Sequence, residues 1–414
     1  MATPRGLTRR TFLRGLTYGS VAVGLAGCAS PAAPTGPPTS VPSLVPSPSA
    51  SVRATPTTTT SAPETPQPTS DPEALRRKAA RLLMVGFRGF TIGPDDPITR
   101  ALQAGLGGVI LFDRDQVTKT RNIESPAQLA TLTAALRAAA TANLLVAIDQ
   151  EGGRVSRLNP AQGFPATTSQ ADVGATGDPE QAFAAGASMG ATMAAAGIDL
   201  DLAPVVDVNV NPANPAIGAL GRSFSADPAV VTAMAAAEIH GLHEHGVRAT
   251  IKHFPGLGSA NANTDFDDVD VTATWTESEL EPFAALVSAG IPDAVMTGHI
   301  VNDHLDPGVP ASLSAATVDG ILRRQLGWQG AVMTDDLGAE AIAGSYDQAE
   351  AVALALEAGN DLLLFANQTV YVPDLATELV DTIVQLVTSG RVSETRIDQS
   401  IERLDLLAFG SAIE

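Results

Sequence analysis

Cysteine is nearly absent from this chain, and positively charged residues are few. The 414 residues include one cysteine, Cys28, so no disulfide can form within the chain, and no group of Cys and His residues has the spacing of a zinc site. Lys and Arg number 25 against 45 Asp and Glu, which gives a formal net charge of −20. Such a surface repels nucleic acid, so we expect no nucleic-acid partner. The apolar segment from Val21 to Gly27 is too short to span a bilayer.

The N-terminus resembles an export signal. Thr8-Arg9-Arg10-Thr11-Phe12-Leu13-Arg14 is a twin-arginine pattern, and Leu25-Ala26-Gly27-Cys28 resembles a bacterial lipobox in which Cys28 accepts the lipid. The alternative is a plain signal peptide with an incidental cysteine. We predict a signal peptide over residues 1–27 and export by the twin-arginine route. A lipid on Cys28 would anchor the protein to the outer face of the bacterial cell membrane.

A second N-terminal segment is rich in Pro, Ser and Thr. Residues 29–70 contain 11 Pro, 8 Ser and 9 Thr and almost no large apolar side chains. Such a composition cannot bury a core, so the pattern predicts a disordered tether over residues 28–70. As extended polyproline II it could reach roughly 100 Å at ~3.1 Å per residue.

From residue 71 to 414, short apolar runs alternate with Ala- and Leu-rich amphipathic stretches. Continuous apolar runs separated by helices indicate a parallel sheet buried on both faces. Eight such units in about 340 residues favour a single (β/α)8 barrel of the α/β class over a doubly wound sheet. The runs are Leu83 to Phe87, Gly108 to Phe112, Leu144 to Ile148, Leu200 to Val206, Val247 to Ile251, Ala294 to Thr297, Ala331 to Met333 and Asp361 to Phe365. Helices are expected at Pro126 to Ala142, Pro179 to Ala196, Pro228 to His245, Ser278 to Ala289, Ala315 to Leu326 and Gln348 to Ala358.

Polar side chains follow these runs, at the points where the predicted strands end. In a barrel, the carboxyl ends of the strands face one shared mouth, which is where active sites form. Carboxylates, cations and imidazoles gathered there suit hydroxyl-rich ligands such as sugars, since charged groups make strong hydrogen bonds to ring hydroxyls. Two carboxylic groups could serve as nucleophile and acid. The residues are Asp149, Glu151, Arg157, Asp207, Arg222, Lys252, His253, His299, Asp335 and Asp336.

In these motifs the chain resembles glycoside hydrolase family 3, and within it the single-domain β-N-acetylhexosaminidase branch, over roughly residues 74–407. The motifs are Met84-Val85-Gly86-Phe87, Gly107-Gly108-Val109-Ile110-Leu111-Phe112, Asp149-Gln150-Glu151-Gly152-Gly153-Arg154, Lys252-His253-Phe254-Pro255-Gly256 and Thr334-Asp335-Asp336-Leu337. The resemblance implies a β/α barrel with Asp335 as the nucleophile. It also implies that the terminal sugar is held by Asp149, Arg157, Arg222, Lys252 and His253.

One motif departs from that branch. There, the segment equivalent to Lys252–Gly256 continues with His-Gly, four variable residues and Asp-Ser-His, whose last His is the acid/base. Counted without gaps, Asn263 replaces the orienting Asp and Asp265 replaces the catalytic His. Either Asp265 is the acid/base, or Asp267 or another loop acid takes that role, or the loop is a solvated acidic segment of a weakly catalytic or sugar-binding protein.

The motifs together predict a retaining exo-β-N-acetylglucosaminidase that acts on cell-wall-derived or related glycans, with Asp335 as nucleophile and Asp265 as acid/base. His299 either contacts substrate or makes structural hydrogen bonds. A carboxylate in the acid/base loop disfavours phosphate as attacking group, so hydrolysis is favoured over phosphorolysis. Alternatives are a binding-only lipoprotein and a β-glucosidase or β-xylosidase of the same family. No metal or organic cofactor is expected.

Overall fold

Eight parallel strands form the centre of the molecule. The computed structural model describes residues 71–115, 117–368 and 370–409. The barrel strands, numbered β1 to β8 in chain order, are Leu83–Gly86, Gly108–Leu111, Leu145–Ile148, Leu200–Asp201, Arg248–Phe254, Ala294–Thr297, Ala331–Thr334 and Leu363–Phe365.

Each strand from β1 to β6 pairs in parallel with the next one in the chain, and β8 returns to pair with β1. For example, Val85 of β1 lies beside Val109 of β2 and Phe365 of β8. The ring is closed between β7 and β8 by a parallel bridge from Met333 to Leu362. The predicted (β/α)8 barrel is therefore confirmed.

Helices connect the strands around the outside. Four of them begin with Pro directly after a residue whose side chain accepts a backbone N–H of the first turn, namely Asp71, Ser125, Asp178 and Asp227. Such a cap satisfies a free helical donor, and Pro has no N–H to leave unpaired. The helices α1 to α11 are Pro72–Arg81, Pro97–Gln103, Pro126–Ala139, Gln170–Ala175, Pro179–Ala195, Pro228–His243, Glu281–Ser288, Glu340–Ala343, Gln348–Ala358, Leu375–Thr388 and Glu394–Phe409.

Three elements differ from their predicted form. Regular pairing of β4 ends at Asp201, well before the predicted Val206, in a segment where Pro204 has no N–H to donate. Strand β5 instead continues through the polar residues Lys252 and His253 to Phe254. The helix predicted from Ala315 to Leu326 is a π-helical segment, Ala316–Gln325.

Two apolar layers stabilise the barrel. Its interior is filled by side chains such as Met84, Ile110, Leu200, Met296 and Met333. A larger layer lies between the strands and the surrounding helices. Strand residues are thus buried on both faces, which explains why they appear in the sequence as continuous apolar runs.

A third apolar cluster lies beyond the end of β5. It includes Val205, Ile217, Leu257 and Val269 and packs with Trp275. Beside it, the short strands Val269–Asp270 and Ile300–Val301 pair in parallel. The long loop after β5 is therefore anchored at both of its ends.

The expected signal peptide, Cys28 and the tether over residues 28–70 lie outside the described residues. Among the helices that the structure describes, no segment has both the length and the apolar character needed to cross a membrane.

Candidate active site

A pocket of about 240 Å³ opens at the carboxyl ends of the strands. Its wall brings together residues from loops that are far apart in sequence, as expected for a barrel mouth. Seven of the eight predicted catalytic and sugar-binding residues line it: Asp149, Arg157, Arg222, Lys252, His253, Asp265 and Asp335.

Lys252 and Glu151 form the centre of a buried ion network. Lys252 Nζ lies 2.7 Å from both Asp149 Oδ1 and Glu151 Oε1, and its side chain is 2% exposed. Arg222 donates two hydrogen bonds of 2.7 Å to the Glu151 carboxylate. Although burial opposes ionisation, Arg222 and Lys252 hold the pKa of Glu151 well below its ordinary value. The network fixes four charged groups in the pocket wall before any ligand binds.

A tight hairpin after β3 positions this network. Strands Gln150–Gly152 and Val155–Ser156 pair antiparallel, and the turn between them requires positive φ at Gly152 (+89°) and Gly153 (+58°). A Cβ atom on Gly152 would lie 2.3 Å from the carbonyl oxygen of Thr168. Only glycine fits this turn without strain, which explains the Gly-Gly sequence.

Arg157 follows the hairpin and is held loosely. Its guanidinium lies 3.6 Å from Asp149 and 4.0 Å from Asp113, and 5.3 Å from the ring centroid of Phe112. Within the described part of the chain, Arg157 Nε has no hydrogen-bond partner. The contacts of the terminal guanidinium nitrogens to the two carboxylates are too long for normal hydrogen bonds, so these nitrogens can still donate to a ligand.

His253 is oriented by the buried carboxylate of Asp207. Nδ1 of the ring lies 2.7 Å from Asp207 Oδ2, while Asp207 Oδ1 accepts the backbone N–H groups of His253 and Leu257. The other ring nitrogen, Nε2, points into the pocket, 4.0 Å from Asp335 Oδ2.

Asp335 extends from the end of β7. Its backbone N–H donates to the carbonyl of Thr297 on β6, and its Oδ1 accepts the N–H of Asp336 at 2.8 Å. Although burial opposes ionisation, His253, His299, this N–H and Lys252 lower the pKa of Asp335. An ionised carboxylate, 22% exposed, thus faces the pocket.

Asp265 reaches the same pocket from the loop after β5. The carbonyls of Thr264 and Asp265 accept N–H groups of Ala341 and Glu340, at the start of α8. Asn263 Oδ1 accepts the N–H of Asp265. Although the residue is exposed on its pocket side, crowding by surrounding protein and the negative charge of Asp335 raise the pKa of Asp265. The raised pKa favours the protonated form of Asp265, whereas the lowered pKa of Asp335 favours its ionised form.

His299 is buried beside the pocket and does not line it. Nε2 donates to the carbonyl oxygen of Asp336 at 2.9 Å, and Nδ1 lies 2.8 Å from Ser312 Oγ. Burial lowers the pKa of His299, against the opposing effect of the nearby Asp335 carboxylate. This geometry favours the structural hydrogen bonding that the sequence left open.

Sequence reasoning did not assign the roles of Glu151 and Asp207. The carboxylate of Glu151 binds Arg222 and Lys252, whereas the sequence predicted only that Glu151 lies at the mouth. Asp207 was placed in the mouth without a function, and it orients His253. The one sign of a role for Asp207 in the sequence is its position directly after a buried run.

Comparisons with known proteins agree with this architecture. Residues 74–407 match the model of the glycosyl hydrolase family 3 N-terminal domain. A β-hexosaminidase of Xylella fastidiosa strain M23 is 38% identical over 323 residues, which cover 76% of this chain and 89% of that protein.

Solved structures with the same fold include two bacterial enzymes. A β-N-acetylhexosaminidase from Beutenbergia cavernae has a TM-score of 0.72 and 34% identity, with 81% of this chain and 98% of that chain covered. A family 3 β-N-acetylglucosaminidase from Paenibacillus sp. strain FPU-7 has a TM-score of 0.74 and 35% identity. The alignment with the Paenibacillus structure covers 80% of this chain but only 62% of the Paenibacillus chain. This chain therefore spans less than two thirds of that protein.

Proposed function

Because this chain belongs to glycosyl hydrolase family 3 and is a glycoside hydrolase, we propose that it is a retaining exo-β-N-acetylglucosaminidase. Its substrates are terminal N-acetylglucosamine residues of cell-wall-derived or related glycans. The similar enzymes from Xylella, Beutenbergia and Paenibacillus support the choice of sugar.

The opposite pKa shifts of two carboxyl groups in one pocket carry the proposed mechanism. Lowering the pKa of Asp335 favours the carboxylate, which a nucleophile needs. Raising the pKa of Asp265 favours the protonated acid, which a general acid needs. When two carboxyl groups have their pKa values driven apart, the environment assigns base and acid.

The reaction then proceeds in two steps. Asp335 attacks the anomeric carbon as the bond to the leaving oxygen breaks, and Asp265 gives that oxygen its proton. In the second step Asp265 takes a proton from water, whose oxygen attacks the same carbon and releases Asp335. Charged donors and acceptors already surround the pocket, and they would bind the hydroxyl groups of the terminal sugar. The residues are Asp149, Arg157, Arg222, Lys252 and His253.

The mechanism is tested by comparing two substrates in wild type and in Asp265→Ala. A nitrophenyl β-N-acetylglucosaminide has a good leaving group that barely needs an acid, whereas di-N-acetylchitobiose needs one. Wild type is expected to cleave both substrates. Asp265→Ala should lose about 10²–10⁴-fold in rate on the disaccharide and much less on the nitrophenyl compound.

Asp267→Ala is the matched control, because it removes the nearby acid that is the rival candidate. A selective loss on the disaccharide in Asp267→Ala, with Asp265→Ala unaffected, would transfer the role to Asp267. If wild type binds N-acetylglucosamine but cleaves neither substrate, the protein is a sugar-binding lipoprotein. A rate that depends on added phosphate would instead indicate a phosphorylase.

The proposal for location is that the protein is exported by the twin-arginine route and anchored to the membrane through a lipid on Cys28. The Arg9-Arg10 pair and the Leu25–Cys28 pattern support it. Cys28→Ser should move the protein from the membrane fraction to the medium. Equal membrane association of wild type and Cys28→Ser would refute the anchor.

A further inference from the structure

Arg157 differs from the other four proposed sugar-binding residues in how its side chain is held. Each of the others takes part in at least one side-chain hydrogen bond of 2.7 Å. Arg157 instead lies between two carboxylates, with Nη2 3.6 Å from Asp149 Oδ2 and Nη1 4.0 Å from Asp113 Oδ1. Both distances are too long for a normal hydrogen bond. The guanidinium is therefore placed between two anions without being fixed to either.

Asp113, two residues after β2, has an oxygen whose hydrogen-bonding capacity is unused. Its side chain is 6% exposed, and Oδ2 accepts a hydrogen bond of 2.9 Å from Nε of Arg114, a surface side chain that is 70% exposed. Oδ1 is buried and has no hydrogen-bond partner among the described residues. An unpaired oxygen of a buried carboxylate is costly. A hydrogen bond from Arg157 Nη1, 4.0 Å away, would remove this cost.

Asp149, by contrast, is shared by two cations. Its Oδ1 lies 2.7 Å from Lys252 Nζ, and its Oδ2 faces Arg157. In the proposed function, on which this inference rests, Asp149 also accepts a hydrogen bond from a hydroxyl group of the terminal sugar. That hydroxyl group competes with Arg157 for Oδ2. Arg157 then needs a second counter-ion to remain in the pocket wall.

We propose that Asp113 is a positioning residue for the sugar site. When a sugar hydroxyl group takes Oδ2 of Asp149, Oδ1 of Asp113 accepts a hydrogen bond from Arg157 Nη1. The two atoms must approach by about 1 Å to reach the length of a charge-assisted hydrogen bond. The guanidinium stays beside the ring of Phe112, whose centroid is 5.3 Å away, and its remaining N–H groups donate to the sugar. Asp113 does not line the pocket, so it acts through Arg157.

The test begins with Asp113→Asn, which keeps the shape of the side chain and removes its charge. Because Asp113 acts on binding of the sugar and not on bond cleavage, we expect KM for the nitrophenyl β-N-acetylglucosaminide to rise about threefold to tenfold. The value of kcat should change by less than about twofold. The Kd of N-acetylglucosamine, measured by calorimetry, should rise together with KM.

A double-mutant cycle with Arg157→Ala separates positioning from a purely structural role. The cycle compares kcat/KM, which can be measured even where the substrate binds too weakly for saturation. If Asp113 acts through Arg157, then Asp113→Asn should have no further effect once Arg157 has been replaced by alanine. Equal losses from Asp113→Asn in both backgrounds would show that Asp113 acts independently of Arg157 and would overturn the inference. Unchanged KM and Kd in Asp113→Asn alone would overturn it as well.

Arg114→Ala is the matched control, because it removes the other partner of Asp113 and leaves Arg157 in place. Its KM should not exceed the wild-type value. A rise in KM equal to that of Asp113→Asn would assign the effect to the surface pair and refute the role of Arg157. Wild-type hydrolysis of the nitrophenyl substrate distinguishes the two failures: its absence refutes the proposed function, whereas normal hydrolysis with an unchanged KM in Asp113→Asn refutes this inference alone.

Discussion

At the scale of single residues, Glu151 is the charge on which the proposed sugar site depends. Two hydrogen bonds from Arg222 and a contact of 2.7 Å from Lys252 converge on one carboxylate that is 1% exposed. Buried cations are stable only when counter-ions neutralise them. Asp149, the other partner of Lys252, is more accessible and is a predicted sugar ligand. Glu151 therefore stabilises the cations that a sugar would contact.

Glu151→Gln should destabilise the protein and weaken substrate binding together. The amide keeps the shape of the side chain but leaves Arg222 and Lys252 with one fewer negative charge. We expect the free energy of unfolding to fall by about 3 kcal/mol, as measured by denaturant titration, with a higher KM. Glu244→Gln, an exposed position at the end of α6, should change neither quantity. Equal stability of wild type and Glu151→Gln would contradict this account.

The contrast between Glu151 and Asp335 shows how far a sequence predicts a site. Asp335 directly follows a buried run. In a barrel every such position lies at the same mouth, so the location of Asp335 could be predicted. The partnership of Glu151 with Arg222 joins residues 71 apart through a hairpin and an irregular loop. No local periodicity encodes such a contact, because it depends on how two loops fold against each other.

At the scale of elements, the loop after β5 is held by two buried carboxylates. Asp207 accepts the N–H of Leu257, and Glu279, just before α7, accepts the N–H of Ser259. Together they fix the segment that connects His253 to Asp265. Burial raises the pKa of Glu279 to about 7. The anchor therefore changes charge near neutral pH.

The pH dependence of stability should reveal this titration. The pKa of Glu279 is higher in the folded protein than in the unfolded chain, so the folded state binds the proton more tightly. Stability is therefore retained below the ordinary glutamate pKa and lost as pH rises from there to about 7. Glu279→Gln, which stays neutral, should match wild type in Tm at pH 5 and exceed it at pH 8.

Thermal unfolding of wild type, Glu279→Gln and Glu277→Gln between pH 5 and 8 provides the measurement. Glu277 is exposed on the same turn, so its variant should follow the wild-type curve. Parallel curves for wild type and Glu279→Gln would show that Glu279 does not titrate in this range.

The elements themselves were the most predictable level of the structure. All eight strands were found because their residues are buried on both faces and thus form unbroken apolar runs. The ends were less accurate, since β5 continues through Lys252 and His253, whose polarity resembles a loop in sequence. These two side chains are tolerated in a strand because carboxylates at the mouth neutralise or orient them.

At the scale of the whole molecule, a second buried ion network lies at the end of the barrel opposite to the pocket. The pocket lies at the carboxyl ends of the strands, whereas Asp361 lies just before β8 at the amino end. Its buried carboxylate accepts hydrogen bonds from Arg323, Arg403 and Ser400. These contacts attach the π-helical segment and α11 to the closing strand. The charge of Asp361 therefore matters for folding, while the proposed chemistry depends on residues at the carboxyl ends of the strands.

Asp361→Asn should therefore lower stability without changing the reaction. Removing the charge leaves Arg323 and its neighbours on α11 without their shared counter-ion, at an expected loss of about 3–5 kcal/mol in unfolding free energy. Asp374→Asn is the control, because it breaks an exposed pair with Arg100 that should contribute about 1 kcal/mol or less. Below its lowered Tm, Asp361→Asn should keep the wild-type kcat/KM per folded molecule on the nitrophenyl substrate. A loss of kcat/KM in fully folded Asp361→Asn would show instead that the two ends of the barrel are coupled.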